Sequence, residues 1–539
     1  MWRLLLATKS REELLLTGDG SHCLGGEGGE LTRSLRTVDL LAIGIGGTVG
    51  TGVFSITGQV AGEQAGPAVV LCWLIGGVGC LLSALSYMEL SARLPLTGSV
   101  YTFAYNALGE VFAVIAAACI TLEYGISASA VAVNWGTKFK TLVQSFGAPG
   151  LASNLFLELG SVTLSAPAVI LLLIVTALIA LGGALCKAFT RGSSALAVVL
   201  IIIMSAIALW DFDASHFDPF VPPEFGANGV FAGSVTTFFG FLGYDEVCCL
   251  AGEAQDPRKS VPVAVLGTIV VATVLPVIGS LALVGMAPYA EIDANAGFEV
   301  AFRQKGWHTL AHAVAIGQLV VLFVVTYMCF MAQPRVFYAL AKDGLLPKRF
   351  LEVDAQGNLR FASLATGVLL IACGAVLPFD TLANAISGGV LVVFTLANCC
   401  VIMLRSKSAH SGAFVGNRSG RSAGVLLSSF VLLCTVAAFL VQHSQGGVGY
   451  IIAGLILTAT ALVILVVLSR HVDNDLVGED VFFRVPCVPW VPALAIAFNS
   501  IMLASLTLAD FALMVIYLAL VLVPYLVLSF LRHRRGTRQ

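Results

Sequence analysis

The run 38–62 is apolar for long enough to cross a bilayer as a helix, yet its middle carries Gly44, Gly46, Gly47, Gly50 and Gly52. About 20 apolar residues suffice to span the hydrocarbon. Each glycine costs a helix up to ~1 kcal/mol relative to alanine, so this middle is poorly suited to continuous helix. Broken backbone at membrane depth is tolerated only where it is buried in protein or lines a cavity. Freed N–H groups at a half-helix N-terminus attract a carboxylate, and freed carbonyls attract a cation or an ammonium. An α-amino acid carries both groups, so 48–52 is the expected substrate site. The competing reading is a helix whose small residues let a neighbour pack closely.

The rest of the chain agrees with a membrane setting. Of its 539 residues 58% are hydrophobic and 11% charged, where a soluble domain carries about 25% charged residues. The net charge of −2 gives no basis for binding nucleic acid. The thirteen cysteines lie mostly inside apolar runs, as at Cys248-Cys249 and Cys399-Cys400, without CxxC or zinc spacing. Residues 1–36 are polar and glycine-rich and read as a flexible cytosolic tail. They make no convincing signal peptide, so the first helix is expected to be the uncleaved insertion signal. No phosphate loop, dinucleotide fingerprint or nucleophile–base cluster is present, so neither an enzymatic activity nor a cofactor is expected.

Further helices are expected near 66–90, 111–135, 168–185 and 194–210. The sixth, near 230–250, is a second interrupted helix, with Gly233, Gly240 and Gly243 inside it and Asp245 at membrane depth. Paired Gly-interrupted segments in corresponding places point to a transporter's binding site. Eight more runs follow, near 264–286, 313–341, 362–377, 385–404, 425–441, 450–468, 488–509 and 511–531, for about fourteen spans. The domain division is a tail at 1–36, a ten-helix core at 37–406, and at 407–539 a cytosolic loop, four additional helices and a cytosolic C-terminus. With the N-terminus inside, all but Lys138, Lys140, Arg303 and Lys305 of the 29 basic residues fall on the inner side. The sequon at Asn417 then faces inward and is expected to be unused.

Glu123 and Asp245 are intramembrane carboxylates, which are costly in lipid and mark a substrate-charge or proton site unless they serve a structural hydrogen bond. His308 and His312 have i, i+4 spacing but no third ligand nearby, so no metal is expected. Lys342 and Asp343 read as interface charges, and the basic loop 405–421 as a segment drawn to anionic lipid.

Gly50-Thr51-Gly52-Val53-Phe54 resembles the first-helix hallmark of the amino acid–polyamine–organocation superfamily. The loop 87–101, Gly243-Tyr244-Asp245 through Asp256-Pro257-Arg258-Lys259, and the stretch 335–347 are similar to it as well. The late segment Phe483-Arg484-Val485-Pro486-Cys487-Val488-Pro489-Trp490 with Asn499, the fourteen spans, and Leu122-Glu123-Tyr124 resemble the cationic amino acid transporters within it. The resemblance implies an all-α polytopic protein with the LeuT-type five-plus-five inverted repeat, four added C-terminal helices, amino-acid transport and alternating access. It places the α-carboxylate at the Gly50, Thr51 and Gly52 amides, and the α-ammonium at the carbonyls of Thr48, Phe239 and Leu242. Phe239 and Phe241, flanking Gly240, would form the gate and pocket wall, and Ser127 would face the substrate side chain. Two departures bear on coupling. Leu200 lies near the place where some proton-coupled relatives have a lysine in helix five, and helix eight offers only Thr326 and Tyr327 rather than a sodium site's adjacent hydroxyl pair. The expectation is therefore a sodium-independent secondary transporter of cationic amino acids such as arginine or lysine. Neutral amino acids, polyamines, or a non-transporting amino-acid sensor are the alternatives. The expected partners are a small-molecule amino acid and the lipid bilayer. The expected location is the plasma membrane, with a vacuolar or lysosomal membrane as the alternative.

Overall fold

The computed structural model describes residues 33–147, 150, 155–159, 162–181, 184–294, 296–354, 357–406, 418–444, 447–473 and 483–536. Lipid offers no hydrogen bonds to a backbone, so the apolar runs satisfy their own as helices. Helix α1 (Thr37–Thr51) continues through a π-helical stretch (Gly52–Ile56), an α turn (Thr57–Val60) and a second π stretch (Ala61–Ala65). Helix α2 (Val69–Arg93) and the short α3 (Val100–Ala107) lead into α4 (Glu110–Ile120), a π stretch (Thr121–Ile126) and α5 (Ser127–Ser145). A small antiparallel hairpin, Phe156–Leu159 paired with Val162–Ser165, precedes α6 (Ala166–Leu181). These are the only two strands among the described residues, with isolated bridges at Leu35–Ala254 and Ser406–Val472.

Helix α7 (Ala184–Trp210) is followed by α8 (Gly226–Phe238), a 3-10 turn (Phe239–Phe241) and the short α9 (Glu246–Cys249). Next come α10 (Pro257–Met286), α11 (Gly297–Gln304), α12 (His308–Lys342), α13 (Arg360–Val376) and α14 (Phe379–Leu404). The chain ends with α15 (Arg418–Gln442), α16 (Val448–Ser469), α17 (Trp490–Ala504) and α18 (Leu508–Gly536). Among the described residues nine helical runs are long and apolar enough to cross a membrane, and α6, α13 and α17 are shorter apolar helices. The first run spans Thr37–Arg93 and so holds both α1 and α2. With these two counted separately and the split α8–α9 segment added, fourteen candidate crossings result. Asn417 lies outside the described residues.

Helix α1 sits at the centre, against α7, α10 and α12, and α5 packs on α6, α12 and α14. The glycines of α1 explain how it fits there. A Cβ on Gly50 would stand 2.5 Å from Val321 and 2.6 Å from Val325 of α12, and one on Gly44 would collide with Thr268 of α10. The expectation of broken helix through 44–52 therefore needs correcting. These glycines serve close packing inside regular helix, and the irregularity begins only at Gly52, as a π stretch. Gly233 likewise lies within regular α8, where a Cβ would stand 2.8 Å from Val60 and 2.9 Å from Cys72 Sγ. The true break of helix six is later. Leu242 leaves the helical region (ψ 134°) and Gly243 has φ +117°, a conformation that L side chains rarely adopt.

The last helices are fastened by polar groups. Asn499 of α17 donates to Ser83 Oγ of α2 at 3.4 Å and to Thr395 Oγ1 of α14 at 3.5 Å. Asn398 donates to Ser83 Oγ at 3.2 Å and accepts from Ser86 Oγ at 2.7 Å. Phe498 lies where a side chain on Gly79 would stand. At the far end of α2, the buried Glu89 takes the guanidinium of Arg405 on both oxygens, pairs with Arg93 at 2.8 Å, and accepts the backbone N–H of Val485 at 2.7 Å. One carboxylate thus joins α2, the end of α14 and the segment leading into α17.

Candidate substrate site

The two irregular segments meet backbone to backbone. A Cβ on Gly240 would stand 2.9 Å from the Gly52 Cα, and one on Gly52 3.4 Å from the Gly240 Cα. The Trp73 indole of α2 is wedged beside both, 2.8 Å from the place of a Gly52 Cβ. Its ring stands 5.6 Å from that of Phe241. Phe239 points the other way, edge-on to Phe379 at 5.7 Å. Gly243 closes on the other side, where a Cβ would stand 3.2 Å from the Gly47 Cα and 3.3 Å from the Gly44 carbonyl oxygen. Thr48, Gly50, Gly52, Phe239, Gly240, Phe241 and Leu242 are all buried. Gly50 and Thr51 lie inside α1 and Gly52 opens the π stretch, so 50–52 is helical rather than a free half-helix end. Thr48 Oγ1 donates to the Gly44 carbonyl at 2.9 Å, and Thr57 Oγ1 to the Gly52 carbonyl at 3.2 Å. This is a closed arrangement, with the glycine seam packed shut.

Beside the seam lies a cluster of carboxylates. Glu123 stands in the π stretch between α4 and α5, and Tyr124 Oη donates to Asp245 Oδ2 at 2.7 Å. Glu246 follows Asp245 at the start of α9, and its Oε2 lies 3.4 Å from the place of a Gly47 Cβ. All three acids are fully buried. Glu123 lies against Asp245 and Glu246 against Cys329, and no basic side chain among the described residues pairs with any of the three acids. Asp245 acts electrostatically on both neighbours. Burying an unpaired ion costs several kcal/mol, so this cluster has an unmet demand for positive charge, met by a cation or by protons. Ser127, one turn beyond Glu123, donates to the Tyr124 carbonyl at 3.2 Å and lies on the same wall. Gln333 of α12 braces the wall by donating to Thr121 Oγ1 at 3.1 Å.

Sequence reasoning missed two residues here. Glu246 follows Asp245 directly, and nothing in its spacing separates it from the charged loop that begins at Glu253. Trp73 sits in an unremarkable apolar run; only its facing glycines reveal its role. His308, His312, Lys342 and Asp343 lie elsewhere and make other contacts. His312 stacks on Phe146 at 5.2 Å, and His308 lines a cleft of about 630 Å³ with Trp210 and Trp307, away from the glycine seam. Asp343 accepts from Tyr101 Oη at 2.5 Å, and Lys342 lies over the Tyr338 ring.

The end of the site towards Arg36 is sealed by polar contacts. Ser34 and Leu35 donate to the Glu253 carbonyl at 2.8 and 2.9 Å, and Gln255 donates to the Leu35 carbonyl at 2.9 Å. Arg335 of α12 holds the Glu253 carboxylate at 2.8 Å, and Arg191 of α7 holds Asp39 at 2.5 Å.

A π stretch in the first helix and a break at Leu242–Gly243 in the sixth, meeting in the middle of a helical membrane protein, belong to the LeuT-type fold. MhsT with bound L-phenylalanine has the same fold, with a TM-score of 0.54 at 14% identity, covering 82% of this chain and 100% of that one. Residues 35–468 match the amino acid permease family and 483–533 its C-terminal extension. The chain belongs to the amino acid permease family, within the amino acid–polyamine–organocation superfamily. It is 30% identical to the human cationic amino acid transporter 4 over 92% of this chain and 87% of that protein. It is 32% identical to the Bacillus subtilis methylthioribose transporter over 70% and 82%, and 31% identical to the branched-chain amino acid permease BcaP of the same bacterium over 74% and 85%. It is a multi-pass membrane protein that transports amino acids.

Proposed function

We propose that this chain is a sodium-independent secondary transporter of cationic amino acids such as arginine and lysine, working by alternating access. The observation that carries the substrate class is the buried trio Glu123, Asp245 and Glu246, which lies beside the glycine seam with no basic partner among the described residues. A substrate guanidinium or ammonium supplies the charge the trio lacks. The Gly50, Thr51 and Gly52 amides take the α-carboxylate in a state where the helix at 50–52 has unwound, and the Thr48, Phe239 and Leu242 carbonyls take the α-ammonium. Phe239 and Phe241 gate the pocket beside Gly240, and Ser127 faces the substrate side chain. Sodium independence is supported at α12, which offers only Thr326 and Tyr327 rather than a sodium site's adjacent hydroxyl pair, while Leu200, which packs towards Gly317, leaves no lysine at the position that carries one in some proton-coupled relatives. The transport core is assigned to 37–406 and the added helices to 407–539, with both termini cytosolic and the plasma membrane as the site of action.

The branched-chain and methylthioribose relatives favour a second reading, a neutral substrate on the same scaffold. Uptake into proteoliposomes, competed by each of the twenty amino acids and by putrescine, separates them. Competition by arginine and lysine above all others is expected. Competition by neutral amino acids alone overturns the cationic assignment, and absence of any flux overturns transport.

A further inference from the structure

Among the described residues only two basic side chains are buried, Arg405 and Lys138. Arg405 is matched by Glu89. Lys138 projects from α5 and its Nζ donates to the Phe54 carbonyl at 3.3 Å, within the π stretch that follows α1. Glu299 of α11 and Asp293 of the preceding loop act on the same ammonium. Both acids also hold their own segment, Asp293 by capping the Ala296 N–H at 2.7 Å and Glu299 by pairing with Arg303. That loop lies directly on the distal half of the first helix, residues 57–65. The Ile292 carbonyl oxygen is 2.7 Å from the place of a Gly62 Cβ, the Asp293 carbonyl oxygen is 2.9 Å from that of Gly58, and Gly297 also meets Gly58.

We propose that Lys138 is a positioning residue that latches the distal half of the first helix shut, by joining the Phe54 carbonyl, α5 and the 292–304 segment through one buried ammonium. A buried ammonium is costly unless its hydrogens are met. The closed packing meets them with protein groups, and swinging the distal half away requires water to replace the Phe54 carbonyl. A π stretch is a common site of bending in helices, so the carbonyl Lys138 holds lies at the bend itself. The consequence for transport rests on the function proposed above; the latch does not.

The test uses the purified full-length protein in detergent with Ala61→Cys, a position fully buried in the distal half. Maleimide modification at each cysteine is followed by mass spectrometry. Lys138→Met is expected to speed modification of residue 61 several-fold, Lys138→Arg to leave it near the parent rate, and the buried Cys80 and Cys400 to stay slow. An unchanged rate at residue 61 overturns the latch, and so does an equal acceleration at all three cysteines, which marks general loosening. If Lys138→Met yields no folded protein, Glu299→Gln is read in the same way, with the same acceleration expected and an unchanged rate again overturning the proposal. In proteoliposomes Lys138→Met should lower kcat more than it alters KM. Loss of flux in the parent protein as well would count against transport while leaving the labelling result intact.

Discussion

Gly240→Ala places one methyl group where the 239–241 turn meets the first helix, closest of all to Trp73 Cη2. The new Cβ would stand 2.9 Å from the Gly52 Cα and 2.8 Å from Trp73 Cζ3. Real Cβ atoms do not approach that closely. One neighbour is backbone and the other is a ring already buried against Phe241, so neither yields as the tip of a flexible side chain would. Overpacking of this kind costs about 1–3 kcal/mol, charged against the closed state in which α1 and the 239–241 turn touch. At 1.4 kcal/mol per factor of ten, the ratio of closed to open protein falls roughly five- to a hundredfold. A cycle that must pass through that state slows by a similar factor. Initial uptake of labelled substrate, normalised to protein in the membrane, measures it. Gly449→Ala is the control, because no neighbouring atom lies within 4 Å of its added Cβ. Wild-type kcat and KM in Gly240→Ala would show that the seam does not close during transport.

Three further outcomes are expected. Asp245→Asn keeps the shape and the Tyr124 contact but removes a charge; at about 1.5–3 kcal/mol for a hydrogen bond to a charged group, it should weaken arginine and lysine uptake roughly tenfold or more while sparing a neutral amino acid of similar length. Equal losses for all substrates would refute the cation role. Glu89→Gln removes the carboxylate that Arg405 and Arg93 share, and breaking a buried pair costs up to about 3–5 kcal/mol, so a lower melting temperature and less folded protein should be seen in detergent; an unaltered melting curve would contradict the network's importance. Replacing sodium by choline should leave initial uptake unchanged, and a several-fold loss would reveal a sodium site that α7 and α12 do not display.

The fold was legible because membrane helices announce themselves by length and apolarity, and because glycines and acids are rare enough at that depth to stand out. What composition hides is which neighbour a residue meets. Gly44 and Gly50 weaken a helix in isolation, yet against Thr268 and Val321 they are the condition for close packing, so the break expected across 44–52 is confined to a π stretch from Gly52. Gly243 was read correctly as a break because its positive φ suits glycine, whereas Gly233 was included with it for want of any local signal. Lys138 counts in the sequence only as one of four basic residues on the outer side, since one lysine gives no sign of which side chains or carbonyls surround it. Glu246 acquires meaning only once α9 turns it towards Gly47.

The polar fastening of α17 bears on how such a chain can gain or lose segments. Asn499, Ser83, Asn398 and Thr395 form one connected patch across three helices, deep in a medium that offers no water to replace a missing member. A lineage that shed the last two helices would expose two hydroxyls and an amide to lipid unless Ser83, Thr395 and Asn398 had first become apolar. A lineage that acquired those helices gained purchase for them as soon as polar side chains arose on α2 and α14. A chimera that grafts α17 and α18 onto a shorter transporter must therefore carry Ser83, Asn398 and Glu89 with them.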